Sequence, residues 1–199
     1  MRWTWSGLTV MTALAPAVAG AQEKALGVEA SEISQAATHV GHWAPFIGDW
    51  TIVFEALDTS AAVQAAFDGE WNFRYVAGGT GIQDAFFLPP RDVAVASDSR
   101  RFVGTGLRVV DPETGDWTAL WTDANAPGPE LWEGTSEPGR ISFHRIEGDR
   151  TIRTEFRVDG AGRLRWEQWE GASGETLVMT QRVTGHRTDE DGAPPPDGS

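Results

Sequence analysis

The sequence predicts an all-β protein, a single antiparallel up-and-down β-barrel with a short N-terminal helix. Three observations carry that expectation. Beyond residue 46, aromatic and β-branched residues recur in short runs punctuated by Gly, Pro and Asp. The links between runs read as tight turns, among them Asp111-Pro112-Glu113-Thr114-Gly115-Asp116, Glu147-Gly148-Asp149 and Asp159-Gly160-Ala161-Gly162. Finally, Gly48-Asp49-Trp50 closes the apolar run Phe46-Ile47 and opens Thr51-Ile52-Val53-Phe54-Glu55, a Gly-x-Trp start suited to a small closed barrel. Successive hairpins make a meander, and closing it removes the unpaired edges that invite aggregation.

Taken in order, residues 1–21 read as a signal peptide. Arg2 is the only charge there, Gly7 to Ala19 is apolar or small, and Ala19-Gly20-Ala21 fits a small-x-small cleavage site before Gln22. That apolar stretch is short of the roughly 20 residues a membrane-spanning helix needs, and Pro16 interrupts it, so no stable membrane insertion is expected. Residues 22–45 form a lead-in whose apolar positions predict a short helix over Glu32 to Val40, ended by Gly41. Pro45 then forces His42-Trp43-Ala44 toward an extended form. Within the barrel, residues 46–187, strands are expected near 49–57, 68–77, 80–88, 101–110, 116–123, 130–136, 140–147, 150–158, 163–170 and 175–186. Ala56 to Ala66 and Leu88 to Ser99 lack a strand period and are expected as loops or a helical excursion over one barrel mouth. Residues 188–199, with their acidic run and three prolines, read as a disordered tail.

Composition narrows the function classes. The chain has no cysteine, which leaves no disulfide, thiolate metal site or cysteine nucleophile and makes burial carry the stability. It has 16 basic and 29 acidic residues, and losing Arg2 with the leader takes the net charge from −13 to −14. Nucleic acid is therefore not an expected partner, because phosphate backbones are held by a basic footprint. A periplasmic or secreted, soluble protein is the expectation.

The words Gly48-Asp49-Trp50, Trp71-x-Phe73-x-Tyr75-Val76-x-Gly78-Gly79, Gln83-Asp84 and Leu107-Arg108-x-x-Asp111-Pro112-x-Thr114-Gly115-x-Trp117 resemble a lipocalin-like bacterial family of exported small barrels. The resemblance spans roughly residues 46–186. It implies a lipocalin-like, calycin-type barrel. In lipocalins the first-strand Trp closes the barrel floor and an Arg from the last strand stacks on it; the matching positions are Trp50, with Gly48, and Arg182. The disulfides of lipocalins proper are missing, so their ligand preferences do not carry over.

Eight tryptophans follow the leader, at positions 43, 50, 71, 117, 121, 132, 166 and 169. Period-two reading places Trp117, Ala119, Trp121 and Asp123 on one strand face, Leu164, Trp166 and Gln168 on another, and Trp71, Phe73 and Tyr75 on a third. Faces that carry aromatics and end in a polar residue suit a cavity wall. Arg108 and Asp84 each interrupt an otherwise apolar or small strand, which suits either a ligand anchor or a structural ion pair inside the barrel. The expected site therefore comprises Tyr75, Gln83, Asp84, Arg108, Trp121 and Trp166, at the mouth away from Trp50. The expected ligand is a small hydrophobic or aromatic molecule.

No metal or cofactor is expected: His39-x-x-His42 has no further ligand at metal spacing, and His144 and His186 lack the surrounding words of haem-binding barrels. No Gly-x-Ser-x-Gly, His-Glu-x-x-His or phosphate loop is present. Two other readings stay open: a cofactor-free isomerase, cyclase or hydrolase using Tyr75, Asp84 or Glu167, and a fully packed structural protein of the envelope.

Overall fold

The computed structural model describes residues 37–96, 99–125 and 128–188. The expected leader, most of the lead-in and the tail from 189 lie outside the described residues.

Ten strands form a closed antiparallel barrel: β1 (Gly48–Leu57), β2 (Val63–Val76), β3 (Gly81–Leu88), β4 (Phe102–Val110), β5 (Trp117–Asp123), β6 (Glu130–Glu137), β7 (Arg140–Glu147), β8 (Arg150–Val158), β9 (Leu164–Ala172) and β10 (Val178–Arg187). Each strand pairs with its sequence neighbours, and β1 pairs with β10 to close the ring. The Gly-x-Trp strand thus sits at the seam, Trp50 directly opposite Arg187. All ten predicted strands are present. The largest change is in β2, which begins at Val63, so most of Ala56 to Ala66 is strand. Its tight turn is stapled by Asp58, whose Oδ1 accepts from the backbone amides of Ser60 and Ala62 at 2.8 and 3.0 Å. No excursion remains there because that carboxylate satisfies the turn locally.

Alternation sorts the strand residues as expected. On β8, Ile152, Thr154 and Phe156 are buried toward the axis while Arg153 and Arg157 are exposed; Glu155, on the outer face with them, is nevertheless buried beneath its partners Arg140 and Arg157. On β5, Trp117 and Ala119 are buried, with Trp121 farther up the same face. The barrel is filled unevenly. Its lower third is a packed aromatic core centred on Phe156, which meets Trp43, Phe46, Trp71, Phe73, Phe143 and Trp166 at ring separations of 5.5, 6.4, 5.5, 6.2, 6.3 and 6.4 Å. Pairs at these spacings and tilts add to simple area burial.

The lead-in does more than deliver the chain to β1. A helical turn over residues 37–41 and the turns after it run through i to i+3 backbone bonds, Trp43 N to Val40 O at 3.0 Å and Phe46 N to Trp43 O at 2.8 Å. That geometry places Val40, Trp43 and Phe46, three residues apart, on one face, and all three are buried. They form the plug of the barrel.

Trp50 lies beside this plug, fully buried, and its indole Nε1 donates to Phe46 O at 2.7 Å. The cation over its ring is Arg187, 4.6 Å from the centroid, and not Arg182. Register decides the matter: Arg187 is the cross-strand partner of Trp50, whereas Arg182 lies opposite Glu55 on the outer face and pairs with it at 2.6 Å. Arg187 also donates to Ile47 O at 2.5 Å and Pro45 O at 2.8 Å, tying the plug to the last strand. Gly48 is glycine for two reasons: its φ is +133°, and a Cβ would collide with the Arg187 guanidinium. Arg187→Ala is accordingly expected to cost about 1–3 kcal/mol in urea unfolding, through charged hydrogen bonds to two carbonyls. Arg182→Ala, which loses a partly exposed ion pair, should cost less than about 1 kcal/mol. The reverse order would refute the assignment.

Candidate functional site

Above the aromatic core the barrel is open. The cavity and the open groove that runs from it over the outer face past Glu70 and Arg91 together span about 1670 Å³, only part of it inside the barrel. Its inner wall is Trp71, Phe86, Trp121, Trp132, Phe156 and Trp166. These rings brace one another, with Trp71 5.0 Å from Phe86 and 5.9 Å from Trp166, and Phe86 6.4 Å from Trp121. Gly104 on β4 leaves the space into which the Trp121 ring lies.

The floor of the cavity is polar at one point. Arg108 on β4 and Asp84 on β3 both project inward and are 5 % and 1 % exposed. Arg108 Nη1 pairs with Asp84 Oδ1, and Asp84 Oδ2 accepts from Trp71 Nε1 at 2.7 Å. The guanidinium is also stacked among rings, 5.0 Å from the Trp43 centroid, 5.2 Å from Phe156 and 5.6 Å from Phe143. Gly106, between them in space, cannot carry a side chain, because a Cβ would meet the Asp84 carboxylate and lie 3.0 Å from Arg108 Nη1. Of the pair, Arg108 lines the cavity, with Asp84 behind it.

The mouth carries charge of mixed sign. Arg145 lies over the Trp132 ring at 4.9 Å and pairs with Glu130 at 3.2 Å and Glu147 at 3.7 Å. Arg150 pairs with Glu170, and Asp123 accepts from Trp121 Nε1 at 3.1 Å. Burial raises the pKa of Glu130 above its ordinary 4.5, helped by the negative charges of Asp123 and Glu147 and opposed by Arg145. The folded protein thus holds this proton more tightly than the unfolded chain does. Its contribution to stability is full below the unfolded pKa and is lost as pH rises through the folded value. Glu130→Gln should therefore stabilise the protein slightly at neutral pH, by less than about 1 kcal/mol for a group still partly open to solvent. Thermal melts across pH should show that gain vanishing below about pH 4.

The loop between β3 and β4 lies at the same mouth. Arg101 holds its start by donating to the carbonyls of Pro89, Pro90, Arg91 and Val93, the last at 2.6 Å.

Of the residues expected at the site, Asp84, Arg108, Trp121 and Trp166 come together in or immediately beneath the cavity. Tyr75 does not. It shares the face of Trp71 and Phe73, but β2 descends toward the plug, and Tyr75 lies beyond Phe73 at the closed end, 43 % exposed. Gln83 faces water, since its neighbour Asp84 takes the inward position and adjacent strand residues point to opposite sides. Glu167 lies on the outer face opposite Glu155, so Tyr75, Asp84 and Glu167 are not assembled into one constellation. Trp132, Phe156 and Arg145 were missed, although alternation about Gly134 and Thr154 marks the first two as inward. Of the histidines, His39 and His42 are neighbours, their rings 5.7 Å apart, and His42 Nδ1 is 2.9 Å from Ser136 Oγ, which accepts from Trp117 Nε1, while His144 faces Glu133 on the outer surface. Among the described residues, no group of three or more His, Asp or Glu is placed to share a metal ion. Nor is any described helix long and apolar enough to cross a membrane.

The architecture has counterparts among solved structures. Rv2717c from M. tuberculosis superposes with a TM-score of 0.50 at 16 % identity, over 75 % of this chain and 96 % of that one. The likeness is one of fold. The S-type phycobiliprotein lyase CpeS from Guillardia theta gives a TM-score of 0.49 at 11 % identity, over 74 % of this chain and 90 % of that one. No protein-family model and no curated protein matches the sequence. The fold is thus a closed ten-strand, antiparallel up-and-down β-barrel, and function has to be argued from the site itself.

Proposed function

We propose that this protein is exported and binds a small hydrophobic or aromatic molecule inside its barrel. One observation carries the reading: a roomy cavity walled by Trp71, Phe86, Trp121, Trp132, Phe156 and Trp166, with a single arginine at its floor. Apolar walls with one or two placed polar groups are how small-molecule pockets combine affinity with orientation. The catalytic reading built on Tyr75, Asp84 and Glu167 would need those groups together in the cavity. Asp84 is instead engaged by Arg108 and Trp71, and Glu167 is outside. A purely structural reading would need the interior filled, as its lower third is.

The test uses the neutral dye N-phenyl-1-naphthylamine, excited through the cavity tryptophans. Saturable binding of one dye per chain, weakened at least about tenfold by Trp121→Ala, is the expected result. Unsaturable or absent transfer would overturn the proposal. Native mass spectrometry of protein purified from its own periplasm should show a co-purifying small molecule, and its N-terminus should be Gln22; an intact Met1 would overturn export.

A further inference from the structure

We infer that the ligand presents a neutral hydrogen-bond acceptor, of carbonyl type, to the cavity floor, and that carboxylates are excluded. This rests on the binding reading above and adds the chemistry of the ligand's inner end.

The starting point is a buried donor at the floor, Arg108 Nε, that has no acceptor among the described residues. The Arg108 side chain is 6 % exposed and lines the cavity. A buried donor left unpaired is costly, so a ligand atom that accepts from it recovers free energy that a bare hydrocarbon cannot. The faces of the guanidinium are covered by Trp43, Phe143 and Phe156, so an acceptor reaches it only in the guanidinium plane. An oxygen on a flat aromatic skeleton, with its lone pairs in the plane, has that shape.

Charge then separates a carbonyl from a carboxylate. An arginine alone at the floor would favour an anion through its planar fork. Here Asp84 already neutralises Arg108, and among the described residues no second cation pairs with Asp84. A carboxylate bound beside them would leave one uncompensated negative charge in an aromatic, low-dielectric site. The mouth adds to this, since the carboxylates among the described lining residues outnumber the arginines there, Arg91, Arg100, Arg145 and Arg150 included. Anions approaching the cavity meet a repulsive field, weakened by salt.

The experiment compares three probes of one skeleton by isothermal titration: 2-acetylnaphthalene, 2-naphthoate and 2-ethylnaphthalene. The ketone is expected to bind at least about tenfold more tightly than either of the others. The naphthoate should gain affinity as ionic strength rises while the ketone does not. In the paired variant Asp84→Leu with Arg108→Met, the ketone's advantage over the hydrocarbon should disappear while the hydrocarbon still binds. The wild-type ranking stands as a test even if that variant does not fold. Naphthoate binding as tightly as the ketone, or the ketone binding no better than the hydrocarbon, would overturn this inference and leave the binding function intact. If none of the three binds, the binding function itself falls with it.

Discussion

Asp84→Ala is expected to destabilise the protein by about 3–5 kcal/mol, because it leaves the Arg108 guanidinium buried without its counter-ion. The same change removes the acceptor of the Trp71 indole, 2.7 Å away, and so leaves a second orphaned donor beside the first. The pair as a whole is worth far less than that figure suggests. Replacing both members, as Asp84→Leu with Arg108→Met, is expected to recover most of the loss, since an apolar pair of similar volume avoids desolvating two charges. Chemical denaturation of the two single variants and the double forms a cycle, with a coupling of about 2 kcal/mol or more expected for groups in direct contact. Additive losses would mean that the two side chains do not act as a pair.

The second large effect is expected at the plug. Trp43 is fully buried and packs on Phe46, Phe73, Trp117, Phe143 and Phe156 while its ring supports Arg108. Trp43→Ala removes one of the largest buried side chains from the closed end of the barrel and should cost about 3–5 kcal/mol in urea unfolding. Trp43→Phe should keep most of the stability, because Nε1 makes no hydrogen bond that would be lost. Acrylamide quenching of the remaining tryptophans should rise in the alanine variant and stay near wild type in the phenylalanine one. A loss below about 1 kcal/mol for Trp43→Ala would show that the strands close the floor without the lead-in.

Part of the cavity wall is legible in the sequence. Alternation groups Trp121 with Trp117 and Ala119, and Trp166 with Leu164, on faces that suit a cavity wall without saying which face points inward, and Arg108 and Asp84 stand out as charges on strands otherwise small or apolar. Their pairing was left open because which inward residues meet depends on register between strands, which β3 and β4 fix by setting Asp84 opposite Gly106, two residues from Arg108. Tyr75 was misplaced for a related reason. Period two gives the side of a strand but not the height, and two residues separate a core position from one beyond the floor. The Arg182 assignment failed likewise, since several arginines fall near the last strand and only the β1–β10 register picks Arg187.

By itself, then, the sequence determined the class of the fold, the ten strands and the turn chemistry that makes neighbours pair, because these depend on short-range period and local backbone preference. The closing of the barrel at the Gly48–Trp50 seam, the plugging of one end by Val40, Trp43 and Phe46, and the neutralisation of Arg108 by Asp84 were decided by the tertiary structure. Each joins residues whose proximity depends on how far strands slide past one another when the ring closes, a long-range quantity to which no local pattern is sensitive.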